Sequence, residues 1–547
     1  MVVPELRAWR AARPHVLRVA RAVQPRVTRV ARAAQPPVRR AAQSVRPQLV
    51  RVARAVRPRS GRITTPQLTA LAATAGLALA VGAVTVAGPW DSTGQRTAER
   101  DWAASRDRQG GADHGRDAGT SAVAPRPAPS AASVLTGLGS ATSAAPAPDG
   151  KALAATLDRL LGVPSLGTRR TAVVVDVATG ERLYGKDAGG AQTPASTTKI
   201  ATAVAVLSAA GADHRLTTRT VLEPGTKEVV LVGAGDPTLT ARKDAGEWAS
   251  LRTLADGTAK ALKARHLDKV TLSYDTSLYS GPAVHPIGPN PNLAPVSALT
   301  ADEGRTDTSS SGPADRTADP AADAAATFAD LLRAKGVDAS SPGPSKATGG
   351  AQALASVSSP PLSALVERML TNSDNDIAEA MARQVAVATG RQASFGGGAA
   401  AIDAQLRKLG LPLAGAHFTD GSGLNRDDRL TADLLTALLV KAGDPARPEL
   451  RPVLTGLPVA GFTGTLTDRY SGDSAGPGVV RAKTGTLTGV NTLAGTVVDA
   501  DGRLLAFAFL ASGTSDPMAA QSALDGAASA LAGCGCGRPA PSGSGGH

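Results

Sequence analysis

The sequence predicts an α+β fold, with helices and an antiparallel sheet grouped in separate stretches of the chain. Three observations carry that expectation. TAVVVDVATGERLYGKD reads as strand, turn at Ala178–Gly180, strand. Near the other end, GVVRAKTGTL, NTLAGTVVDADG and RLLAFAFLASG read as three antiparallel strands, the last two joined by an Asp-Ala-Asp-Gly turn. Between these groups lie helical patterns such as LSALVERML and DIAEAMARQVAVATG.

The folded part begins near Lys151 with a short helix, KALAATLDRLLG. After the first strand pair comes PASTTKIATAVAVLSAAG, a long apolar helix. Further strands are expected at EVVLVGAG and KVTLSYD, a helix at AADAAATFADLLRAKG, and a loop-rich region from Pro282 to Ser345. A last helix, DPMAAQSALDGAASALAG, follows the final strand. Aromatic residues make up only 3% of the chain, so the core must be built from Ala, Val and Leu.

What precedes the folded part is different in kind. The chain has 547 residues and a net charge of +13. Met1 to Thr64 holds 16 Arg, no Lys and one acid, a balance of +15, so the rest sums to −2. Basicity therefore belongs to one tail. Its prolines at 14, 25, 36, 47 and 58 mark an 11-residue repeat of short Arg/Val/Ala pieces. The uncharged run from Leu68 to Trp90 is long enough for a membrane span, which needs about 20 residues. The arginines on its N-terminal side predict a cytoplasmic N-terminus and an extracellular C-terminal bulk. More than 60 residues precede the run, which argues for an anchor over a signal peptide cleaved near Ala87. A polybasic tail beside a membrane favours anionic lipid. It has no aromatic stacking platform, so nucleic acid is the weaker partner. Residues 91–150 are poor in large apolar side chains and read as a disordered linker. Two cysteines, Cys534 and Cys536, are too few for a disulfide scaffold. The scattered histidines form no H-E-x-x-H pair, and no metal or cofactor is expected.

Three short motifs carry chemistry. Ser196 and Lys199 form S-x-x-K at the start of the apolar helix, three residues apart and on one face. A serine hydroxyl needs a base, and a lysine serves if burial and nearby cations lower its pKa. A cation in a helix's first turn is unfavourable, which is expected to help lower it. Alone, the pair would read as a cap serine and a snorkelling lysine. Ser373-Asp374-Asn375 sits between two helices; its hydroxyl can relay a proton and its amide can bind a peptide carbonyl. Alone it would be a helix cap. Lys483-Thr484-Gly485-Thr486 lies on a strand, where an edge offers backbone groups to an extended peptide, the lysine supplies charge, the glycine permits close approach of substrate, and the threonines hold a carboxylate.

S-x-x-K, S-x-N and K-T-G in this order are the signature of penicillin-binding proteins and serine β-lactamases. From Lys151 to Gly533 the sequence resembles a D-alanyl-D-alanine carboxypeptidase of the class C low-molecular-mass penicillin-binding proteins. The 177 positions between Ser196 and Ser373 leave room for that subclass's inserted domain. Gly235-Asp236-Pro237-Thr238-Leu239 and Asp420-Gly421-Ser422-Gly423-Leu424 with Arg426 resemble its G-D-P-T-L and D-G-S-G-L-x-R segments. The resemblance implies a transpeptidase-like catalytic domain at 151–216 and 346–535, an inserted domain at 217–345, and a flexible tail at 536–547. That insert is short for the subclass's two-part insertion. The resemblance also implies roles: Ser196 as acylated nucleophile, Lys199 as base, Ser373 in proton transfer, and Asn375 on the substrate amide. Lys483, Thr484, Gly485 and Thr486 would bind the substrate's end, with Ser196 and Thr486 N–H groups as the oxyanion hole. Asp420 and Ser422 would shape the cleft. The implied substrates are peptidoglycan D-Ala–D-Ala peptides and β-lactams, with endopeptidase action on cross-links as a second expectation. The rival classes are a β-lactamase, which would lack the insertion, and a membrane module whose basic repeats are the function.

Overall fold

The computed structural model describes residues 150–340, 343–470 and 474–534. The basic tail, the expected span at 65–90, the linker up to residue 149, and Cys536 lie outside these residues.

Helix α1 (Gly150–Leu161) leads into β1 (Arg169–Asp176) and β2 (Arg182–Lys186). Asp176 Oδ1 closes the turn between these strands by accepting the N–H groups of Ala178 and Thr179 at 2.8 and 3.0 Å. Helix α2 (Thr198–Ala210) follows. An inserted block then runs through β3 (Thr217–Leu222), β4 (Glu228–Val232), α3 (Leu251–Lys263), β5 (Lys269–Asp275), α4 (Pro320–Ala334), β6 (Asp338–Ala339), β7 (Gly343–Pro344) and β8 (Gln352–Ser358). The chain returns through α5 (Leu362–Asn372), α6 (Asn375–Ala388), α7 (Phe395–Lys408), α8 (Ala432–Gly443) and the single turn α9 (Pro452–Thr455). It ends with β9 (Val480–Leu487), β10 (Val490–Val498), β11 (Leu504–Ser512) and α10 (Pro517–Ala532).

The first and last strands share one antiparallel sheet, in the order β2-β1-β11-β10-β9. Alternation along β1 and β11 splits its core between two faces. Ala172, Val174, Leu505, Phe507 and Phe509 pack with α1 and α10. Val173, Val175, Ala506, Ala508 and Leu510 pack with α2 and α5 to α8. Helix α2 is buried on every side from Thr198 to Leu207, which accounts for its lack of a polar face. It is the central rod of the helical layer.

The insert is organised differently from the antiparallel pattern expected of the whole chain. Its sheet runs β6-β5-β4-β3-β8, with β7 also on β5. The β4–β5 and β5–β6 pairs are parallel. Such pairs need crossovers, and α3 and α4 supply them while burying Leu251, Leu254, Phe328 and Leu332 against the sheet. The expected boundary at 345 falls inside this unit, because β8 pairs antiparallel along β3 from Gln352 to Ser358. The insert therefore closes at Ser358.

β9 lies at the edge of the first sheet and is held unusually close to β10. A Cβ on Gly495 would lie 2.0 Å from the Arg481 carbonyl oxygen and 2.5 Å from Ala482 Cα. Gly495→Ala is expected to push the two strands apart at a cost of about 1–3 kcal/mol. Thermal or urea unfolding reads this directly; an unchanged midpoint would contradict the close strand contact.

Candidate active site

The nucleophile candidate sits in a 3₁₀ turn, Ala195–Thr197, just ahead of α2. Ala195 has a left-handed backbone, with φ 49°. Such a conformation costs about 1–2 kcal/mol for a residue with a Cβ, so its surroundings must impose it. Thr197 Oγ1 and Thr492 Oγ1 both donate to the Pro194 carbonyl, at 2.7 and 2.8 Å. Gly423, itself at φ +80°, passes beneath; a Cβ there would lie 1.9 Å from the Ala195 carbonyl oxygen. Gly485 of β9 closes the other side. Its missing Cβ would lie 2.1 Å from Thr492 Oγ1 and 2.7 Å from the Pro194 carbonyl oxygen. This changes the reason for that glycine: it admits the turn that carries Ser196, where close approach of substrate was expected.

Lys199 is wholly buried. Its Nζ donates to Ser196 Oγ at 3.0 Å, to Asn375 Oδ1 at 2.6 Å and to the Ser422 carbonyl at 2.7 Å. Three acceptors match the three hydrogens of an ammonium. A neutral amine keeps two donors and gains a lone pair. The two shorter contacts retain the donors, and the lone pair is left for the Ser196 hydroxyl. Burial lowers the Lys199 pKa from 10.5 to about 8, against the pull of Asp420, Glu379, Asp374 and Asp376. Desolvation is thus the main cause, so of the causes that the sequence suggested, burial leads over nearby cations and the helix position.

Ser373 ends α5 in a left-handed conformation, and Asp374 caps α6 by accepting the Ile377 N–H at 3.0 Å. This tight link puts Ser373 and Asn375 on the wall of a cleft of about 270 Å³, together with Ser196, Thr486 and Leu487. The Asn375 amide is already engaged: besides Lys199, it donates to the Asn292 carbonyl at 3.0 Å. On β9, Lys483 is wholly buried, and its Nζ donates to the Thr484 carbonyl at 3.0 Å. Burial and the neighbouring Lys199 push its pKa well below the usual value. The Thr484 hydroxyl donates to Thr465 Oγ1 at 2.9 Å. All eight residues singled out by sequence meet around this one cleft or the buried lysines behind it. A larger groove of about 1050 Å³, lined by Phe395, Arg407 and Phe418 among others, contains none of the three motifs.

The structure adds residues that the motifs did not reveal. Glu379 stands one helical turn after Asn375 on α6 and is fully buried. It accepts the N–H groups of Gly421 and Ser422 at 3.0 and 2.9 Å. Asp420 Oδ1 accepts those of Ser422 and Gly423 at 3.1 and 2.6 Å. Two buried carboxylates thereby fix the loop whose Ser422 carbonyl holds Lys199. The (i, i+4) spacing of Asn375, Glu379 and Arg383 is the signal that could have found Glu379. The insert supplies the facing wall through Asn292, Arg305, Ser311, Pro313 and Arg316. Arg305 Nε donates to Glu303 Oε2 at 2.8 Å, and Arg316 Nη1 forms an ion pair with Asp376 Oδ2 at 3.0 Å. Burial, then the neighbouring Asp374 and Asp376, pushes the Glu303 carboxyl up to about 9. These residues lie in a loop-rich stretch with no periodicity to mark them.

Replacing Gly423 with alanine is expected to cost about 1–3 kcal/mol, through both its positive φ and the Ala195 clash. A lowered unfolding midpoint with diminished Ser196 reactivity is the expected result. A variant as stable and as reactive as the parent would contradict the packing of this loop under the turn.

Comparison with known proteins agrees with this geometry. The model of the D-Ala-D-Ala carboxypeptidase 3 (S13) family matches residues 153–315 and 307–531. Carboxypeptidase DacB of Mycolicibacterium smegmatis is 39% identical over 426 residues, covering 75% of this chain and 90% of that protein. Carboxypeptidase Rv3627c of Mycobacterium tuberculosis is 36% identical over 434 residues, covering 77% and 92%. The crystal structure of penicillin binding protein 4 (dacB) from Haemophilus influenzae has the same fold, with a TM-score of 0.57 at 22% identity. That match covers 68% of this chain and 97% of the other. By the extent of the family match and the identity shared with these relatives, the chain belongs to the D-Ala-D-Ala carboxypeptidase 3 (S13) family and is a serine-type D-Ala-D-Ala carboxypeptidase.

Proposed function

We propose that Ser196 is the nucleophile and Lys199 its general base in cleavage of the D-Ala–D-Ala bond of peptidoglycan stem peptides. The observation that carries this reading is the 3.0 Å contact between Lys199 Nζ and Ser196 Oγ, made by a lysine whose pKa lies at about 8. Neutral Lys199 takes the hydroxyl proton as Ser196 Oγ bonds to the carbonyl carbon of the penultimate D-Ala. Negative charge develops on the carbonyl oxygen, where the Ser196 and Thr486 N–H groups serve as the oxyanion hole. One such donor is typically worth about 3–4 kcal/mol. The C–N bond breaks as its nitrogen takes a proton, relayed by Ser373. D-Ala leaves, and an ester to Ser196 remains. Water then attacks the ester, its proton passes to Lys199, and the serine returns. The substrate's terminal carboxylate meets Thr484, Thr486 and Lys483, and an anion there favours the ammonium form that burial disfavours. A β-lactam ring presents the same amide and carboxylate and acylates the same serine. Cross-linked stem peptides offer the same bond with a larger leaving group, which gives endopeptidase action.

We also read the chain as membrane-anchored: residues 65–90 span the bilayer, the basic tail rests on anionic cytoplasmic lipid, and the catalytic domain lies outside. Among the described residues no helix is long and apolar enough to cross a membrane, and the support for this reading is the sequence alone.

Labelled penicillin tests the catalytic reading. Wild type is expected to take up one label at Ser196, and Ser196→Ala none; equal labelling of both would refute it. The acylation rate should climb with pH through about 8, because the base works only after losing its proton. Lys199→Met should acylate at least about 100-fold more slowly. Its fold should be more stable near neutral pH, since no ammonium needs to be desolvated. In the parent, the lowered folded-state pKa means that stability rises between about pH 8 and 10.5 as the unfolded chain alone holds that proton.

The anchoring reading has its own test. Full-length protein should remain in the membrane fraction after alkaline carbonate washing, and a chain lacking residues 1–90 should be released. Release of the full-length chain would contradict a span.

A further inference from the structure

The loop that holds Lys199 is also held from the inserted domain, through one histidine. His285 lies between β5 and α4 and is buried beside Asp420, with side-chain exposures of 2% and 1%. Its Nδ1 faces the Ile287 N–H at 3.2 Å and therefore accepts. The hydrogen on Nε2 is thereby directed at Asp420 Oδ2, 3.0 Å away. The same Oδ2 accepts the Asn425 N–H at 2.7 Å, and Oδ1 holds Ser422 and Gly423. One carboxylate thus gathers three backbone groups of residues 420–425, and the imidazole is its one side-chain donor from the described residues of the insert. The Ser422 carbonyl in this loop is a direct acceptor of Lys199 Nζ.

The ring is clamped as well as bonded. It meets Phe395 edge-on, with centroids 4.8 Å apart and planes at 83°. On the catalytic side Arg383 stacks over Phe395 at 4.0 Å and over Tyr279 of the insert at 5.6 Å. Gln384 Nε2 donates to the Tyr279 hydroxyl at 3.2 Å and to the Ala234 carbonyl at 3.0 Å. His285, Glu379 and Asp420 lie close enough together to suggest a metal-ligand set. Both ring nitrogens are already engaged, however, and Arg383 Nη1 stands 3.5 Å from Glu379 Oε2. The group is a hydrogen-bonded cluster whose second Glu379 oxygen is met by the Arg383 guanidinium as an ion pair.

The geometry points to His285 as a positioning residue for the general base, acting through Asp420 and the Ser422 carbonyl on Lys199. The insert is then a working part of the acylation machinery, since the lysine's third acceptor is registered against it. The titratable groups facing this network are Glu379 and Arg383 from α6, Asp420 and Asp428 from the 420–428 loop, and Lys199 from α2, with burial and Asp420 pushing Asp428 up to about 9. Burial works against the Asp420 carboxylate, yet hydrogen bonds from His285, Asp428, Gly423 and Asn425 hold its pKa below the usual range. Losing the imidazole loosens that carboxylate and the carbonyl it aims, and lets water reach the amine. Less desolvation moves the Lys199 pKa back up.

The inference rests on the acylation chemistry proposed above, and the experiment separates the two. Full-length wild type, H285A, H285L and H285Q are compared for the rate of acylation by a fluorescent penicillin across pH 6 to 10, with thermal unfolding alongside. H285A and H285L remove the donor with and without leaving a void, and whichever folds gives the reading. It should acylate about tenfold more slowly at neutral pH, in line with the cost of misplacing a reacting group. Its rate midpoint should move upward from about 8. H285Q, whose side-chain amide can donate to Asp420, should recover most of the rate and the original midpoint. A donor-free variant with the wild-type rate and midpoint overturns the inference. So do slow variants, H285Q included, that share the wild-type midpoint, because that pattern marks a merely structural role. An unlabelled wild type would instead overturn the acylation chemistry itself.

Discussion

A desolvated amine with three fixed acceptors is the constraint on which the rest of the site depends. Lys199 comes from α2, Asn375 from the start of α6, and the Ser422 carbonyl from the loop before α8. Ser196 comes from the turn ahead of α2. None of these elements places the amine alone. An ammonium at this depth is costly to desolvate, and its pKa falls accordingly. The bonds that hold the lysine in place are made to three oxygens, none of which carries a charge that could restore the proton. Glu379 and Asp420 stand one layer further out. They pull the pKa upward from a distance, while their hydrogen bonds are committed to backbone N–H groups and, for Asp420, to His285 as well.

The same logic explains where backbone strain is placed. Ala195 and Ser373 adopt left-handed conformations that disfavour side chains, the first next to the nucleophile candidate and the second at the proposed proton relay. The strain at Ala195 is held by hydrogen bonds to Pro194 and by two glycines that let the Gly423 loop and β9 press against the turn. The close approach of β10 at Gly495 supports β9 from behind. The K-T-G strand, the nucleophile turn and the Asp420 loop therefore form one packed unit; residues 458–460 cover the outer side of β9 at Val480–Ala482, and the K-T-G half beyond them has no strand paired on that side among the described residues.

The catalytic sheet was legible in the sequence because its strands are apolar runs bounded by turn residues. Asp176 and Gly180 marked one turn, and Asp499 to Gly502 the other. The insert was less so. β8, QALASVS, is polar and partly exposed along its length, and β3, TTRTVL, has only a short apolar end. Neither stands out, which is why the boundary was expected at 345. Helix α7 begins Phe-Gly-Gly-Gly, which disguises its first turn. α3 is different: Leu251, Leu254, Ala255, Ala259 and Leu262 keep helical spacing, so it could have been read. In the site, local spacing exposed the reacting groups, since S-x-x-K and S-x-N are short-range patterns. The groups that position them, such as Ser422 O, Asn292 O and His285, act through tertiary contacts that no local pattern records. Burial was expected to lower the lysine pKa from the apolar run around it, but that the burial is complete follows only from packing.

The most direct test of this account is to titrate Lys199 itself. NMR of protein labelled at the lysine side-chain nitrogen, with the Lys199→Met variant to assign the signal, gives its protonation midpoint in the absence of substrate. The account predicts a midpoint near 8. A midpoint near the ordinary lysine value of 10.5 would mean that burial does not lower the amine's pKa and that almost none of it is neutral even at pH 8, and would contradict its role as the base.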